Sequence, residues 1–145
     1  MTTFSIKQHL LSRGMDPDRP GVLLDEDKGI ATFLIYNLSG VLCGYQQYNP
    51  NGSKQIRNDD KNKHLLKYFS YAGDEGDKGS KGKKRLLVWG LETLTIDRRV
   101  VFITEGIFDA VKLHNAGVAA LAVLANDPQN MRSFFYALGR HVVCV

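Results

Sequence analysis

Only two cysteines occur in the 145 residues, Cys43 and Cys144, each inside an apolar stretch. Thiols placed this way read as buried and reduced, not as a disulfide or a zinc site. No apolar run approaches the roughly 18 residues of a membrane helix, and the amino end lacks the apolar core of a signal peptide. The chain is therefore expected to be soluble and cytoplasmic, with no membrane partner. Acids are the scarcer charge: 15 Asp plus Glu against 19 Lys plus Arg gives a net charge of +4 and a pI near 9.1. That balance permits a polyanionic partner without requiring one. There is no internal repeat. The length lies within the usual single-domain range of about 100–200 residues. An apolar share of 43% supports a real core, and 23% charged residues is ordinary for a soluble protein.

What the chain does have is concentrated at residues 99–129, RVVFITEGIFDAVKLHNAGVAALAVLANDPQ. Arg99 to Thr104 is short, apolar and β-branched, which reads as a buried strand. Glu105 and Gly106 follow, and then Ile107, Ala110, Val111 and His114 at helical spacing. Asn115 and Gly117 close that helix, since glycine takes the left-handed cap at little cost. Val118 to Leu124 is again an apolar strand. The sum is a βαβ unit whose two strands are expected to be parallel. Open α/β sheets bind ligands at the carboxyl ends of their strands. Glu105 stands at such an end and Asp109 lies one helical turn on, so the pair suits a hard cation such as Mg²⁺. The alternative is that Glu105 simply complements the helix dipole.

In chain order, Phe4 to Leu11 predicts an amphipathic helix capped near Thr3 or Ser5. GMDPDRPG at 14–21 ends it. Val22 to Leu24 predicts a short strand before the acidic turn DEDKG. Ile30 to Tyr36 and Val41 to Tyr48, joined through Asn37 and Gly40, predict a β-hairpin. Tyr36, Tyr45 and Tyr48 are either sheet packing or a stacking platform for bases. Asn49 to Asn62 is polar and turn-rich, and Leu65 to Tyr71 is a compact apolar stretch containing Lys67. That lysine is either a snorkelling edge residue or a cation aimed at a phosphate. Asp74 to Lys84 contains no apolar residue and predicts a surface loop, with a lysine cluster at 78, 81, 83 and 84. Leu86 to Leu94 returns to the core. Pro128 marks a helix start, Met131 to Leu138 continues a helix up to Gly139, and His141 to Val145 predicts a third strand. The expected fold class is therefore α/β with an α+β amino-terminal part. A small mixed, largely antiparallel subdomain (1–98) precedes a parallel βαβαβ half-domain (99–145).

From about Ile30 to Val145 the sequence resembles the RNA polymerase core of bacterial and phage DnaG-type DNA primases, including their TOPRIM domain. Four pieces carry the resemblance, in order. FLIYNLSGVLCGYQQY (33–48) is similar to the family's strand, D-x-x-G turn, strand and G-F segment. KYFS (67–70) resembles K-Y-L-N. KKRLLVWGLE (83–92) resembles the lysine-bearing segment ending in Y-G-L or W-G-L. VVFITEGIFDAVKLHNAGV (100–118) resembles the TOPRIM signature of apolar strand, E-G-x-x-D, helix and G-[IV].

The resemblance implies DNA-templated synthesis of short RNA primers in DNA replication, a magnesium-dependent nucleotidyltransferase reaction. Its partners would be a single-stranded DNA template, nucleoside triphosphates and a replicative helicase. Glu105 would be the TOPRIM glutamate, a metal-associated acid able to assist proton transfer, and Asp109 the second acid of that motif. Together they would hold Mg²⁺ or Mn²⁺. Lys67, Lys83 and Lys84 fall in or beside the positions where these primases face template or nucleotide with lysine.

The chain also departs from the family pattern. The family arginine after the glycine-containing hairpin strand is replaced around Tyr48, and the G-T turn after the second TOPRIM strand reads Ala125-Asn126. No Cys/His zinc-binding module stands upstream. The D-x-D acids would follow directly after His141 to Val145, where the sequence stops. The expectation is a primase core piece that holds metal weakly and is inactive alone. Two further readings stand beside it. One is a non-catalytic protein derived from a TOPRIM domain, binding single-stranded DNA or a replication partner. The other is a different TOPRIM enzyme, a nuclease or topoisomerase.

Overall fold

The computed structural model describes residues 3–54, 65–74, 84–94, 99–124, 128–139 and 141–144. Helix α1 (Ile6–Ser12) starts at Ser5, whose hydroxyl accepts the Gln8 amide proton. A second cap comes from the acidic turn after the first strand. Glu26 accepts from the amides of Ile6 (3.1 Å) and Lys7 (3.0 Å) and from the Ser5 hydroxyl. One carboxylate thus satisfies two of the orphan amides at the helix start. The helix buries Ile6 and Leu10.

Strands β1 (Val22–Asp25), β2 (Ile30–Tyr36), β3 (Leu42–Tyr48) and β4 (Tyr68–Ala72) form an antiparallel sheet in sequence order. The β2–β3 turn is set by Asn37, whose side-chain oxygen accepts from the amides of Ser39 and Val41, and by Gly40 at φ +79°. The register aligns Ala31 with Tyr48, Phe33 with Gln46 and Ile35 with Gly44, and carries each pair across to β4. With period-two alternation these residues share the inner face. Gln46 is buried there and donates to the Ser70 hydroxyl at 3.0 Å.

The second sheet has the order β5–β7–β6–β8, from Val88–Trp89, Ala119–Val123, Val100–Thr104 and His141–Cys144. β6 pairs in parallel with both β7 and β8, whereas β5 is an antiparallel edge. Helix α2 (Ile107–Asn115) links β6 to β7, and α3 (Pro128–Leu138) carries the chain back past β6 to β8. The parallel βαβαβ order predicted from the apolar runs is the order observed, with bounds shifted by no more than a residue or two.

Alternation along β6 and β7 divides the core. Ala120, Ala122 and Trp89 join α2, α1 and the inner face of the antiparallel sheet in one apolar cluster. Val101, Ile103, Ala119, Leu121 and Val88 face the other way, toward Met131 and Leu138 of α3. α2 and α3 therefore cover opposite faces of the parallel sheet, and α2 shares its core with the antiparallel sheet. That shared core takes residues from both sides of residue 98. Each large side chain fully buried here contributes about 1.5–3 kcal/mol. Cys43 is buried and free within it. No described helix is long and apolar enough to cross a membrane.

Candidate functional site

The acid–glycine turn leaves the carboxyl end of β6, the strand flanked by β7 and β8. The connection after β6 runs to one side and the later crossover returns to the other, so the β6–β8 boundary is a topological switch point. Such crevices are where open α/β sheets hold ligands. Thr104, buried at the strand end, donates to the Gly106 carbonyl at 2.9 Å, with the Leu121 carbonyl 3.4 Å away. This pins the turn to the neighbouring strand. Glu105 is exposed beyond it.

Gly106 is the N-cap of α2 and makes no side-chain cap of its own. A Cβ at residue 106 would stand 3.3 Å from Asp109 Oδ2, tighter than ordinary contact. The absent side chain thus leaves room for the Asp109 carboxylate to lie back over the helix start, toward the turn that carries Glu105. Asp109 is exposed, in the first turn, where negative charge complements the helix dipole. Among the described residues no three His, Cys, Asp or Glu side chains converge on one point. Two exposed carboxylates fit part of a hard cation's oxygen shell, and the remainder would have to come from water or further acids.

The basic positions separate. Lys67 is half-buried immediately before β4, and its backbone carbonyl accepts from the Asn49 amide. Lys84 is exposed, bridges across to Asp74 and donates to its carboxylate at 2.7 Å, which raises the lysine's pKa. Lys83 and the rest of the basic loop from 75 lie outside the described residues. Of the three hairpin tyrosines, Tyr48 is buried, Tyr45 is half-buried and stacked on Tyr71 (5.5 Å, 23°), and Tyr36 is exposed.

Around Tyr48 the structure assembles a group that the sequence pattern did not single out. The Arg13 guanidinium lies 3.8 Å from the centre of the Phe108 ring and donates from Nη1 to the hydroxyls of Tyr48 (3.2 Å) and Tyr68 (3.4 Å). Tyr48 and Tyr68 are stacked at 5.0 Å, and Tyr48 meets Phe108 edge-on at 4.8 Å. His9 Nε2 stands 2.8 Å from the Tyr48 hydroxyl. Because Arg13 has only protons to give, the consistent assignment has Tyr48 donating its own proton to a neutral His9. Burial lowers the His9 pKa, and the charges of Arg13 and Lys67 lower it further. Burial also raises the Tyr48 pKa, against the Arg13 hydrogen bond. The available signal was His9 and Arg13 four residues apart, on one face of a short helix.

A comparable cluster fixes the W-G-L segment. Arg19 stacks over Trp89 at 4.2 Å, bonds His114 Nδ1 at 3.0 Å and pairs with Glu92, while His114 Nε2 donates to the Ala120 carbonyl at 2.7 Å. Gly90 has φ +97°, and a Cβ there would stand 2.7 Å from that same carbonyl. Compared with the models of known protein families, with curated proteins and with solved structures, the chain finds no match.

Proposed function

We propose that this chain is the polymerase core of a DnaG-type DNA primase, running through the third strand of its TOPRIM domain, and that it takes part in DNA-templated synthesis of RNA primers. The observation that carries the reading is the position of Glu105. It is exposed at the carboxyl end of a parallel strand, at the switch point, with Asp109 on the first turn of the following helix. The pairing of Val100 with His141 and of Ile103 with Cys144 supports it further. A chain continuing along β8 in that register comes level with Glu105 two residues after Cys144. D-x-D acids arriving there would complete a carboxylate set that Glu105 and Asp109 begin.

Mg²⁺ or Mn²⁺ held by such a set would supply charge stabilisation for nucleotidyl transfer, with Glu105 and Asp109 as its ligands from this chain. The chain's own contribution is positional. Thr104 fastens the turn, Gly106 leaves space for Asp109, and Arg13 places positive charge beside the Tyr48 and Phe108 rings.

The test is primer synthesis on a single-stranded template with nucleoside triphosphates and metal, by the chain continued through a D-x-D. Synthesis that Glu105→Gln abolishes supports the assignment. Robust synthesis by the Glu105→Gln protein removes it. Strand binding with no synthesis by the continued chain would favour a binding module.

A further inference from the structure

Between Lys28 and Lys54 the chain carries no Asp, Glu, Lys, Arg or His, although 23% of its residues are charged. That span is the β2–β3 hairpin with its turn and flanks. The inner half of the hairpin is core and has no use for charge. Its outward half is different, because an antiparallel sheet with one solvated face ordinarily turns polar side chains to water. Here the register lines up Leu34, Tyr45 and Tyr71 across β2, β3 and β4, with Tyr36 opposite Leu42 in the next pair. By alternation this row points away from the core residues Phe33 and Ile35. Tyr36, Leu42 and Tyr71 are exposed, and the turn adds Leu38 at 65%. The described helices leave this face open: α1 and α2 pack on the inner face, and α3 on the other sheet.

The charge pattern selects the occupant. A nucleic-acid strand or an anionic membrane surface needs cations against its phosphates, and the hairpin supplies none. Copies of a chain with net charge +4 repel one another, and least across a face without charge. Like faces also match in chemistry, leucine against leucine and tyrosine hydroxyls that both donate and accept. Just past β4, Lys84 and Asp74 pair with each other, so this rim adds no net charge.

We propose that this face joins two copies of the chain in a two-fold dimer, hairpin against hairpin, with Tyr36, Leu38 and Leu42 buried between them. A self-complementary contact of this kind closes on itself and stops at the dimer. The exposed side chains offer roughly half of the ~800 Å² per partner of a standard interface, which makes the dimer a weak, reversible one. It is a property of the hairpin and is independent of the primase-core reading.

The experiment is sedimentation equilibrium of the full chain from about 10 µM to about 1 mM, the range for a contact of this size, at low and high salt. Wild type should pass reversibly from monomer to dimer and go no further. High salt should leave association unchanged or strengthen it, since it screens repulsion between like-charged copies. Leu38→Glu and Leu42→Lys, both at exposed positions, should fold by circular dichroism. Each should weaken the dimer more than about tenfold, because the symmetric contact buries the new charge twice. Tyr136→Glu, at a 93% exposed position on α3, should leave association unchanged. A wild type that stays monomeric throughout, or that grows beyond the dimer, overturns the proposal. So does a dimer that salt abolishes, that both hairpin variants retain, or that Tyr136→Glu removes. If one hairpin variant does not fold, the other decides. Oligothymidylate binding by a monomeric wild type, lost in Leu38→Glu, would give the face to a nucleic-acid strand and overturn the dimer.

Discussion

The backbone of Gly44 passes so close to Tyr71 that a Cβ at residue 44 would stand 2.0 Å from the Tyr71 carbonyl oxygen, and 2.8 Å from Leu87 Cδ2. The strand-to-strand separation of β3 and β4 and the seating of Leu87 in the core both depend on that missing side chain. Gly44→Ala is expected to destabilise the protein by about 1–3 kcal/mol or more, the usual cost of forcing atoms into a packed interior. Gly40→Ala, in a turn with nothing within 4 Å, meets only the strain of its positive φ. Urea unfolding of the two variants checks the order, and an equal loss in both would refute the close-approach argument.

Stability should depend on pH through His9. Burial first, then Arg13 and Lys67, hold its folded-state pKa below the ordinary value of 6.5. A depressed folded pKa means that the unfolded chain takes up the proton first. The His9 contribution is therefore fully present above about pH 6.5 and is lost as pH falls through the folded-state value. Protonated His9 would also turn a second donor toward the Tyr48 hydroxyl, which Arg13 already occupies. Thermal unfolding from pH 8 to 5 should show wild type losing more than His9→Gln, and parallel curves for the two proteins would exclude this origin.

Arg19 should matter more to stability than its ion-pair partner. Its guanidinium covers the Trp89 ring and holds His114, whereas Glu92 is exposed. Arg19→Ala is expected to cost about 1–2 kcal/mol through the lost cation–π contact. Glu92→Gln should cost less than about 1 kcal/mol, as exposed ion pairs do. Chemical denaturation midpoints measure both, and a larger effect at Glu92 would contradict the packing account.

Lys67 and Lys84 should differ in strand binding. Lys84 already pairs with Asp74, while half-buried Lys67 has no carboxylate partner among the described residues. Reversing Lys67 to Glu is expected to weaken single-stranded DNA binding by at least about tenfold at low salt, and Lys84→Glu by less. Anisotropy titrations at two salt concentrations compare them. A greater loss at Lys84 would shift the interface toward the basic loop.

Glu105→Gln should separate chemistry from folding. Glu105 is exposed and makes no hydrogen bond among the described residues, so the substitution should change unfolding free energy by less than about 0.5 kcal/mol. Primer synthesis by the chain continued through D-x-D should nevertheless disappear. Near-normal synthesis with a stability loss of about 0.3–1 kcal/mol would instead mark Glu105 as a helix-dipole residue only.

Local periodicity alone was enough to place most elements. β-branched alternation gives the hairpin strands, apolar runs give β6 and β7, and Gly117 closes α2, because these signals act over a few neighbouring residues. The acid–glycine turn was legible for the same reason: Glu105, Gly106 and Asp109 lie within one turn of chain. Helix α1 was legible too, but its second cap was not, since Glu26 reaches Ile6 from 20 residues away. The sheet order placing β8 beside β6, the grouping of Arg13 with Tyr48, Tyr68 and Phe108, and the different surroundings of Lys67 and Lys84 belong to the tertiary structure. Arg13 and Tyr68 are 55 residues apart in the chain, and no local pattern encodes a meeting across that distance. It is set by burial of α1 and α2 against the same sheet face, a property of the whole core and of no single segment.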